Sequence, residues 1–262
     1  MKKNVVWWPA IVHKENAQKY GDYNYFEYTR KSWEYWCERN DVLFVPFTEP
    51  VEDDLFRFRP NWQKIIFVFD ELERKNIDYD QICLVDSSCM IKWDAPNFFN
   101  EVNTNPVAFR SLENIKWIYE GVKGYSKLFN DYDFKLTEYV SCGFQIFDKS
   151  HKPFLDKVKK FYYANQVEIL KLQKTVSRGT DQPVYNYLKQ IHKVKFDYIS
   201  PAYMVTHLNR FDWLGGNWQL KEDSTPFFVK YGYIWFFSGF DKTQRGRLMN
   251  QTWDIIKGNY EE

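Results

Sequence analysis

One carboxylate stands out by its position, because Asp86 directly follows the short, largely apolar run QICLV at residues 81–85. Such a run predicts a strand that is buried on both faces of a parallel sheet. Ligands of open α/β sheets bind beyond the carboxyl ends of the strands. Asp86 is therefore placed to hold a cation beside a diphosphate or to accept hydrogen bonds from a ribose. Since Asp and Ser both favour turns, and Ser87 and Ser88 come next, the alternative is that Asp86 only caps a turn.

Strand-like and helix-like segments alternate over the first 90 residues. The runs NVVWWPAIV, VLFVPF and QICLV predict strands, and Pro9 and Pro46 are expected at strand ends or bulges. YFEYTRKSWEYWCERN has apolar residues near helical spacing, and PNWQKIIFVFDELERKN begins with Pro60, which suits a helix start. This alternation predicts an α/β fold with a mixed, mainly parallel central sheet flanked by helices.

The second half of the chain has a mixed order of elements. Helices are predicted at 115–129, 152–173, 180–192 and 244–257, and strands at 139–148, in pieces of 196–205, and at 226–240. No repeat, low-complexity tract or long linker interrupts the sequence. A single domain over residues 1–262 is the simplest interpretation.

Composition excludes some classes of protein. The 36 basic and 35 acidic residues give a net charge of +1 with no block of like charge, so neither nucleic-acid nor membrane-surface binding is indicated. The four cysteines form no CxxC pair, which favours a reducing intracellular compartment. No apolar run approaches the ~20 residues of a membrane span. We expect a soluble, cytoplasmic protein without membrane insertion; the oligomeric state is not indicated.

The segment NWQKIIFVFDELERKNIDYDQICLVDSSCMIKWD, residues 61–94, resembles the donor-site segment of nucleotide-sugar glycosyltransferases with the GT-A fold, family 34 most of all. In that family a Trp-x-Lys opens a helix and an apolar strand ends in Asp-x-Asp. Trp62, Lys64 and Asp86 match this pattern.

Three later segments extend the resemblance in the expected order along the chain. SCGFQIF at 141–147 looks like a strand of related families, and GTDQPVYNYL at 179–188 resembles their Asp-Gln helix start. FFSGFDK at 236–242 resembles the His-x-x-Gly-x-x-Lys element of family 8, with Gly239 and Lys242 in place.

The resemblance implies a single GT-A domain that moves a sugar from a nucleotide-diphosphate sugar to a hydroxyl of a glycan or glycoconjugate acceptor. Residues from about 1 to 100 would bind the nucleotide sugar, and residues from about 101 to 262 would bind the acceptor and complete the site. The donor-binding residues that the resemblance implies are Asp86, Ser88, Lys64, Gln182, Gly143 and Lys242, with Trp8 and Pro9 near the nucleotide base.

Asp181 is the predicted catalytic residue. A carboxylate near the acceptor can take the proton of the attacking hydroxyl. In retaining relatives this element instead lines the donor sugar, and Asp is also a common helix N-cap. Both of these alternatives remain open from the sequence.

Two departures from the family patterns concern the metal. The second aspartate of Asp-x-Asp is Ser88 here, and the histidine of the family 8 element is Phe236. Divalent cations prefer carboxylate or imidazole ligands beside a diphosphate. We therefore expect no tightly bound metal, or weak Mn²⁺ or Mg²⁺ binding through Asp86. Cationic side chains would then neutralise the diphosphate, Lys242 first, and after it Lys64, Arg245 and Arg247.

Other interpretations compete with catalysis. A protein of the same fold could bind a nucleotide sugar or carbohydrate without turnover. Cys142 fits a packed thiol better than a nucleophile, since no histidine adjoins it in sequence. The aromatic loop at 211–220 either closes over an acceptor sugar or tucks its rings inward, and no role is assigned to His207.

Overall fold

The computed structural model describes residues 3–12, 25–102, 105–111, 114–200, 203–205 and 225–260. Within them the strands are β1 (Lys3–Pro9), β2 (Leu43–Phe47), β3 (Tyr79–Val85), β4 (Cys89–Ile91), β5 (Val107–Arg110), β6 (Val140–Phe147), β7 (Asp197–Tyr198), β8 (Met204–Val205) and β9 (Ile234–Phe236).

The α-helices pack around these strands. They are α1 (Tyr25–Arg39), α2 (Pro60–Ile66), α3 (Val68–Arg74), α4 (Ile115–Tyr125), α5 (Lys152–Thr175), α6 (Gln182–Ile191), α7 (Phe227–Tyr231) and α8 (Lys242–Ile256). Short 3₁₀ turns complete the described chain at Phe98–Glu101, Ser126–Phe129, Leu136–Glu138, Lys149–His151 and Lys257–Tyr260.

The central sheet has six strands in the order β2-β1-β3-β6-β5-β7. β1 pairs in parallel with both β2 and β3, and β5 pairs in parallel with β7. β6 runs antiparallel to its neighbours β3 and β5. The predicted fold class, a mixed and mainly parallel sheet flanked by helices, is confirmed. Strands from both halves of the sequence share this one sheet.

A second, small sheet lies beyond the end of β3. Its order is β4-β9-β8, with β4 antiparallel to β9 and β8 parallel to it. The backbone N–H of Cys89 donates to the carbonyl of Asp86 across 2.9 Å, so a tight turn carries the chain from β3 to β4. This turn brings the segment after β9 close to the carboxyl end of β3.

Side chains of β1 alternate between the two faces of the central sheet. Val5 and Trp7 pack in the core on one face, and Val6 and Trp8 pack on the other. This two-residue period follows from the pleat of a strand. Trp62 packs on the first face, with its ring centroid 4.2 Å from that of Tyr162. Much of the aromatic content thus forms the core.

Two local predictions differ from the structure. The helix expected after Pro60 is two helices, because Phe67 (φ −115°, ψ 1°) interrupts the helical backbone between α2 and α3. The strand expected at 226–240 is the helix α7 followed by β9, and its Phe228 and Val229 are buried. Aromatic and β-branched residues favour strands, but tertiary packing overrides that preference.

The position of Pro46 is consistent with the assignment of strand β2. Pro46 lies within β2, which is tolerated because β2 is at the edge of the sheet.

In the part of the chain that the structure describes, no helix combines the length and apolar character needed to cross a bilayer.

Candidate active site

A cavity of about 290 Å³ opens beyond the carboxyl end of β3. Its walls come from the start of α2, the end of β5, the first turn of α4, strand β6, the start of α6 and the residues after β9. The lining includes Lys64, Asp86, Gly143, Asp181 and Gln182. Residues that are far apart in sequence therefore converge at the place where α/β sheets bind ligands.

Asp86 is fixed at the rim of this cavity by the backbone. Its N–H donates to the carbonyl of Gly143 across 2.8 Å, which extends the β3–β6 pairing by one residue. Its carboxylate oxygen Oδ2 lies 3.5 Å from Lys64 Nζ, and the side chain is 24% exposed. Lys64 thus balances the charge of the Asp86 carboxylate, and the partly exposed side chain of Asp86 still faces the cavity.

Lys64 is a buried lysine whose side chain is only 5% exposed. Its carbonyl accepts a hydrogen bond of 3.1 Å from Trp7 Nε1, which ties α2 to β1. Burial lowers the pKa of the ammonium, but the carboxylates of Asp86 and Asp181 outweigh that effect and the pKa is raised. Lys64 therefore stays charged in this site at physiological pH.

Asp181 occupies the N-cap position of α6 but does not cap the helix, since its side chain accepts no hydrogen bond there. It is 4% exposed, and among the described residues its Oδ2 has no hydrogen-bond partner. Burial raises the pKa of this carboxyl, and the positive charge of Lys64 opposes the rise. The N-cap interpretation is thus not supported, and an unsatisfied oxygen is held beside the cavity.

Gln182 and Cys142 join α6 to β6. The Cys142 N–H donates to Gln182 Oε1 across 3.1 Å. Burial, and after it the charge of Asp181, raise the pKa of the Cys142 thiol well above its usual value. The thiol is therefore protonated and the packed interpretation fits better than a nucleophile.

Gly143 is required by close packing. A Cβ at this position would lie 2.4 Å from Cζ of Phe236, so the aromatic ring occupies the place of a side chain. Both residues line the cavity. The ring of Phe236 thus forms one apolar wall against the backbone of β6.

Three predicted donor-binding residues do not line the cavity. Ser88 is buried, and its carbonyl accepts a hydrogen bond of 2.9 Å from the N–H of Phe237, because the turn after β3 directs the chain into the second sheet. Trp8 is 2% exposed and packs against Phe26 and Phe44, and Pro9 is also buried. The structure therefore does not bring these three residues to the cavity, and their contact with a donor stays a prediction.

The other cationic candidates are placed less directly. Lys242 is the first residue of α8 and follows the cavity residue Gly239 by three positions, but its side chain lies outside the described part, so its role stays a prediction. Arg245 donates from Nη2 to the carbonyl of Phe240 across 3.2 Å, and Arg247 is exposed. Neither arginine lines the cavity. His207 and the aromatic loop at 211–220 lie outside the described residues.

The structure adds cavity residues that the sequence did not single out. They are Asn61, Phe109, Ser111, Asn114, Trp117, Ile118, Ser141, Gly179, Thr180 and Ser238. Gly179 has φ +84°, and Asn114 caps α4 by accepting from the N–H of Trp117 across 3.1 Å. Asn61 and Gly179 lie close in sequence to the predicted site residues Lys64 and Asp181. This closeness in sequence is the signal that could have identified them.

Among the residues that the structure describes, the donor atoms of this cavity do not form a set that fits the divalent metal implied by the GT-A resemblance. Asp86 is paired with Lys64, Ser88 is buried and its backbone pairs with Phe237, and Phe236 offers no ligand atom. Among the described residues no group of three His, Cys, Asp or Glu side chains is arranged to hold a metal ion. Carboxylate-rich sets of oxygen ligands are what Mg²⁺ and Mn²⁺ prefer.

Comparison with known proteins identifies the fold. No protein-family profile matches the chain, and no curated protein matches it in sequence. A glycosyltransferase involved in the glycosylation of the major capsid of PBCV-1 superposes with a TM-score of 0.54 at 11% identity, over 96% of this chain and 100% of the other. The chain therefore has the GT-A fold.

Two further solved structures give lower scores. The galactosyltransferase LgtC, in complex with donor and acceptor sugar analogs, gives a TM-score of 0.48 at 10% identity, over 98% of this chain and 99% of the other. Mouse xyloside xylosyltransferase 1 gives 0.46 at 8% identity, over 93% and 99%.

Proposed function

We propose that this protein is a glycosyltransferase that moves a sugar from a nucleotide-diphosphate sugar to a hydroxyl of a glycan or glycoconjugate. One observation carries the proposal: Lys64, Asp86 and Asp181 converge on a single cavity at the carboxyl end of β3 in a GT-A fold. Fold alone does not establish an activity. The proposal depends on this buried charged group and on the unsatisfied oxygen of Asp181.

The protein must assist three events of the transfer reaction. The bond between the anomeric carbon and the phosphate oxygen breaks, the acceptor oxygen bonds to that carbon, and the acceptor loses a proton. Asp181 Oδ2 has no protein partner among the described residues, so it can accept a hydrogen bond from a sugar hydroxyl or take the proton of the acceptor. The positive charge of Lys64 and the positive end of the α6 dipole stabilise the negative charge that develops on the leaving diphosphate.

Sugar binding is supported by the apolar walls of the cavity. Trp117, Phe109 and Phe236 line it beside polar side chains. Aromatic faces pack against the C–H surfaces of sugars, and a few placed polar groups fix the orientation of a ligand. The donor sugar, the base, the acceptor and the stereochemical outcome are not specified by these contacts.

The direct test is an assay of nucleotide-sugar turnover. The purified chain would be incubated with a panel of uridine- and guanosine-diphosphate sugars, with and without simple glycan acceptors, and the released nucleoside diphosphate would be measured. We expect release from one donor, faster with an acceptor. Binding of a donor without release would favour the alternative of a binding protein that lacks turnover. Absence of both binding and release across the panel would contradict the proposal.

A further inference from the structure

Two positions around the cavity that would serve a metal are used for packing instead. Ser88, two residues after Asp86, is 3% exposed and its backbone pairs with Phe237 in the second sheet. The ring of Phe236 fills the space above Gly143, with 2.4 Å between Cζ and the place of a Cβ. Ser88 is thus buried at the sheet connection, and Phe236 presents an aromatic ring without a ligand atom to the cavity.

The cavity is also lined by a cation that belongs to the protein, Lys64. Lys64 Nζ lies 3.5 Å from Asp86 Oδ2, and its positive charge also acts on Asp181. The position of the ammonium is constrained because the Lys64 side chain is almost fully buried and its carbonyl is bonded to Trp7. An ammonium has three donors, so the pair with Asp86 leaves capacity for an anionic oxygen in the cavity.

The start of α6 adds to this positive potential. Residues Gly179 to Gln182 line the cavity, and no side chain caps the N-terminus of this ten-residue helix. The N-terminus of a helix carries roughly half a positive charge. Lys64 and the start of α6 together therefore place positive potential on the cavity, beside the carboxylates of Asp86 and Asp181.

We infer that this site binds the diphosphate of its donor without a divalent metal, with Lys64 as the resident cation. This inference rests on the proposed function, because it names how the same site holds its anionic substrate. Lys64 holds the Asp86 carboxylate in place, and Asp86 contacts the donor directly rather than through an ion. Lys64 replaces Lys242 as the first candidate for this role.

Isothermal titration calorimetry of uridine and guanosine diphosphate tests the inference. The wild-type protein would be titrated in EDTA and again in Mn²⁺ after removal of EDTA. We expect one nucleotide to bind with the same dissociation constant in both conditions, within about twofold. Lys64→Met should weaken that binding at least about tenfold, because it removes a buried charge partner. Lys64→Arg keeps the positive charge and should retain more affinity than Lys64→Met.

A matched control is Lys149→Met, which removes a lysine paired with Asp78 at 2.7 Å on the surface; its affinity should be unchanged. Thermal unfolding would show whether each variant is folded, and if Lys64→Met is not, the two wild-type titrations and Lys64→Arg decide. Binding that appears only with Mn²⁺ would overturn the inference and leave the proposed function standing. Binding of neither nucleotide in either condition would count against the proposed function itself.

Discussion

Replacement of Asp181 by asparagine separates a catalytic carboxylate from a structural one. The side chain is 4% exposed and one oxygen has no hydrogen-bond partner among the described residues. Burial raises the pKa of this carboxyl although Lys64 opposes the rise, so the ionised form lowers the stability of the fold at neutral pH. Asn has nearly the same shape but no charge, so Asp181→Asn removes that penalty. We expect it to stabilise the fold by about 1 kcal/mol, while it also removes the base or sugar-binding oxygen.

Asp181→Asn should change both the melting temperature and the turnover. For a chain of this size, 1 kcal/mol corresponds to a melting-temperature shift of about 2–4 °C, so we expect a rise of that order. Loss of a positioned general base typically reduces turnover by about 10²–10⁴, and we expect a fall of at least about 100-fold. Nucleotide binding should persist, because Asp86 and Lys64 are unchanged. The assays are differential scanning fluorimetry and release of nucleoside diphosphate from the donor.

The stability gained by Asp181→Asn should be larger at neutral pH than at acidic pH. Burial raises the pKa of Asp181 above its ordinary value of 3.8, so the folded state binds the proton more tightly than the unfolded state. The penalty from this carboxylate is therefore present at neutral pH and disappears as the pH falls through the raised pKa toward 3.8. The gain in melting temperature of Asp181→Asn should be largest at neutral pH and shrink on acidification.

The N-cap of α8 provides a matched control. Asp241 does accept a hydrogen bond there, from the N–H of Gln244 across 3.0 Å. Asn is as good an N-cap as Asp, so Asp241→Asn should leave the melting temperature nearly unchanged. A lower melting temperature for Asp181→Asn, or turnover close to that of the wild type, would refute the role assigned to Asp181.

Three further predictions concern packing around the site, each checked by denaturant unfolding. Gly143→Ala should cost about 1–3 kcal/mol by overpacking, because its Cβ would meet Phe236, and a second change of Phe236→Leu should recover part of that loss; equal losses in both backgrounds would contradict the contact. Gly179→Ala should cost about 1–2 kcal/mol, because φ is +84° and Pro183 is 2.9 Å from the new Cβ. The control Gly258→Ala meets nothing within 4 Å and should be close to neutral. Trp8→Ala should cost about 3–5 kcal/mol as a core truncation; a stable variant with weakened nucleotide binding would instead support the base-stacking role expected from the sequence.

The parts of the site that the sequence predicted are those fixed by topology. Asp86 follows a buried strand, and the carboxyl end of such a strand is a ligand site in α/β sheets. Lys64, Asp181 and Gln182 were named from short family-like segments, and the structure places them all on the cavity with Asp86. What these residues bind stays a prediction.

The placements that the sequence did not predict depend on tertiary contacts. The direction of Ser88 is set by the turn from Asp86 to Cys89 and by pairing with Phe237, and neither is visible in a local pattern. Trp8 ends up in the core because β1 alternates between two covered faces, whereas its position near a strand end suggested exposure. The meeting of Gly143 with Phe236 joins residues almost a hundred positions apart.

The central claim is that Asp86, Lys64 and Asp181 form one nucleotide-sugar site, and a thermal-shift screen of nucleotide sugars on the wild type and on Asp86→Asn tests it most directly. A ligand at about 100 times its dissociation constant stabilises a protein by about 2.7 kcal/mol, or roughly 5–10 °C here. The account predicts such a shift for one donor in the wild type and a much smaller shift in Asp86→Asn. Equal shifts in both proteins, or no shift from any nucleotide sugar, would contradict it.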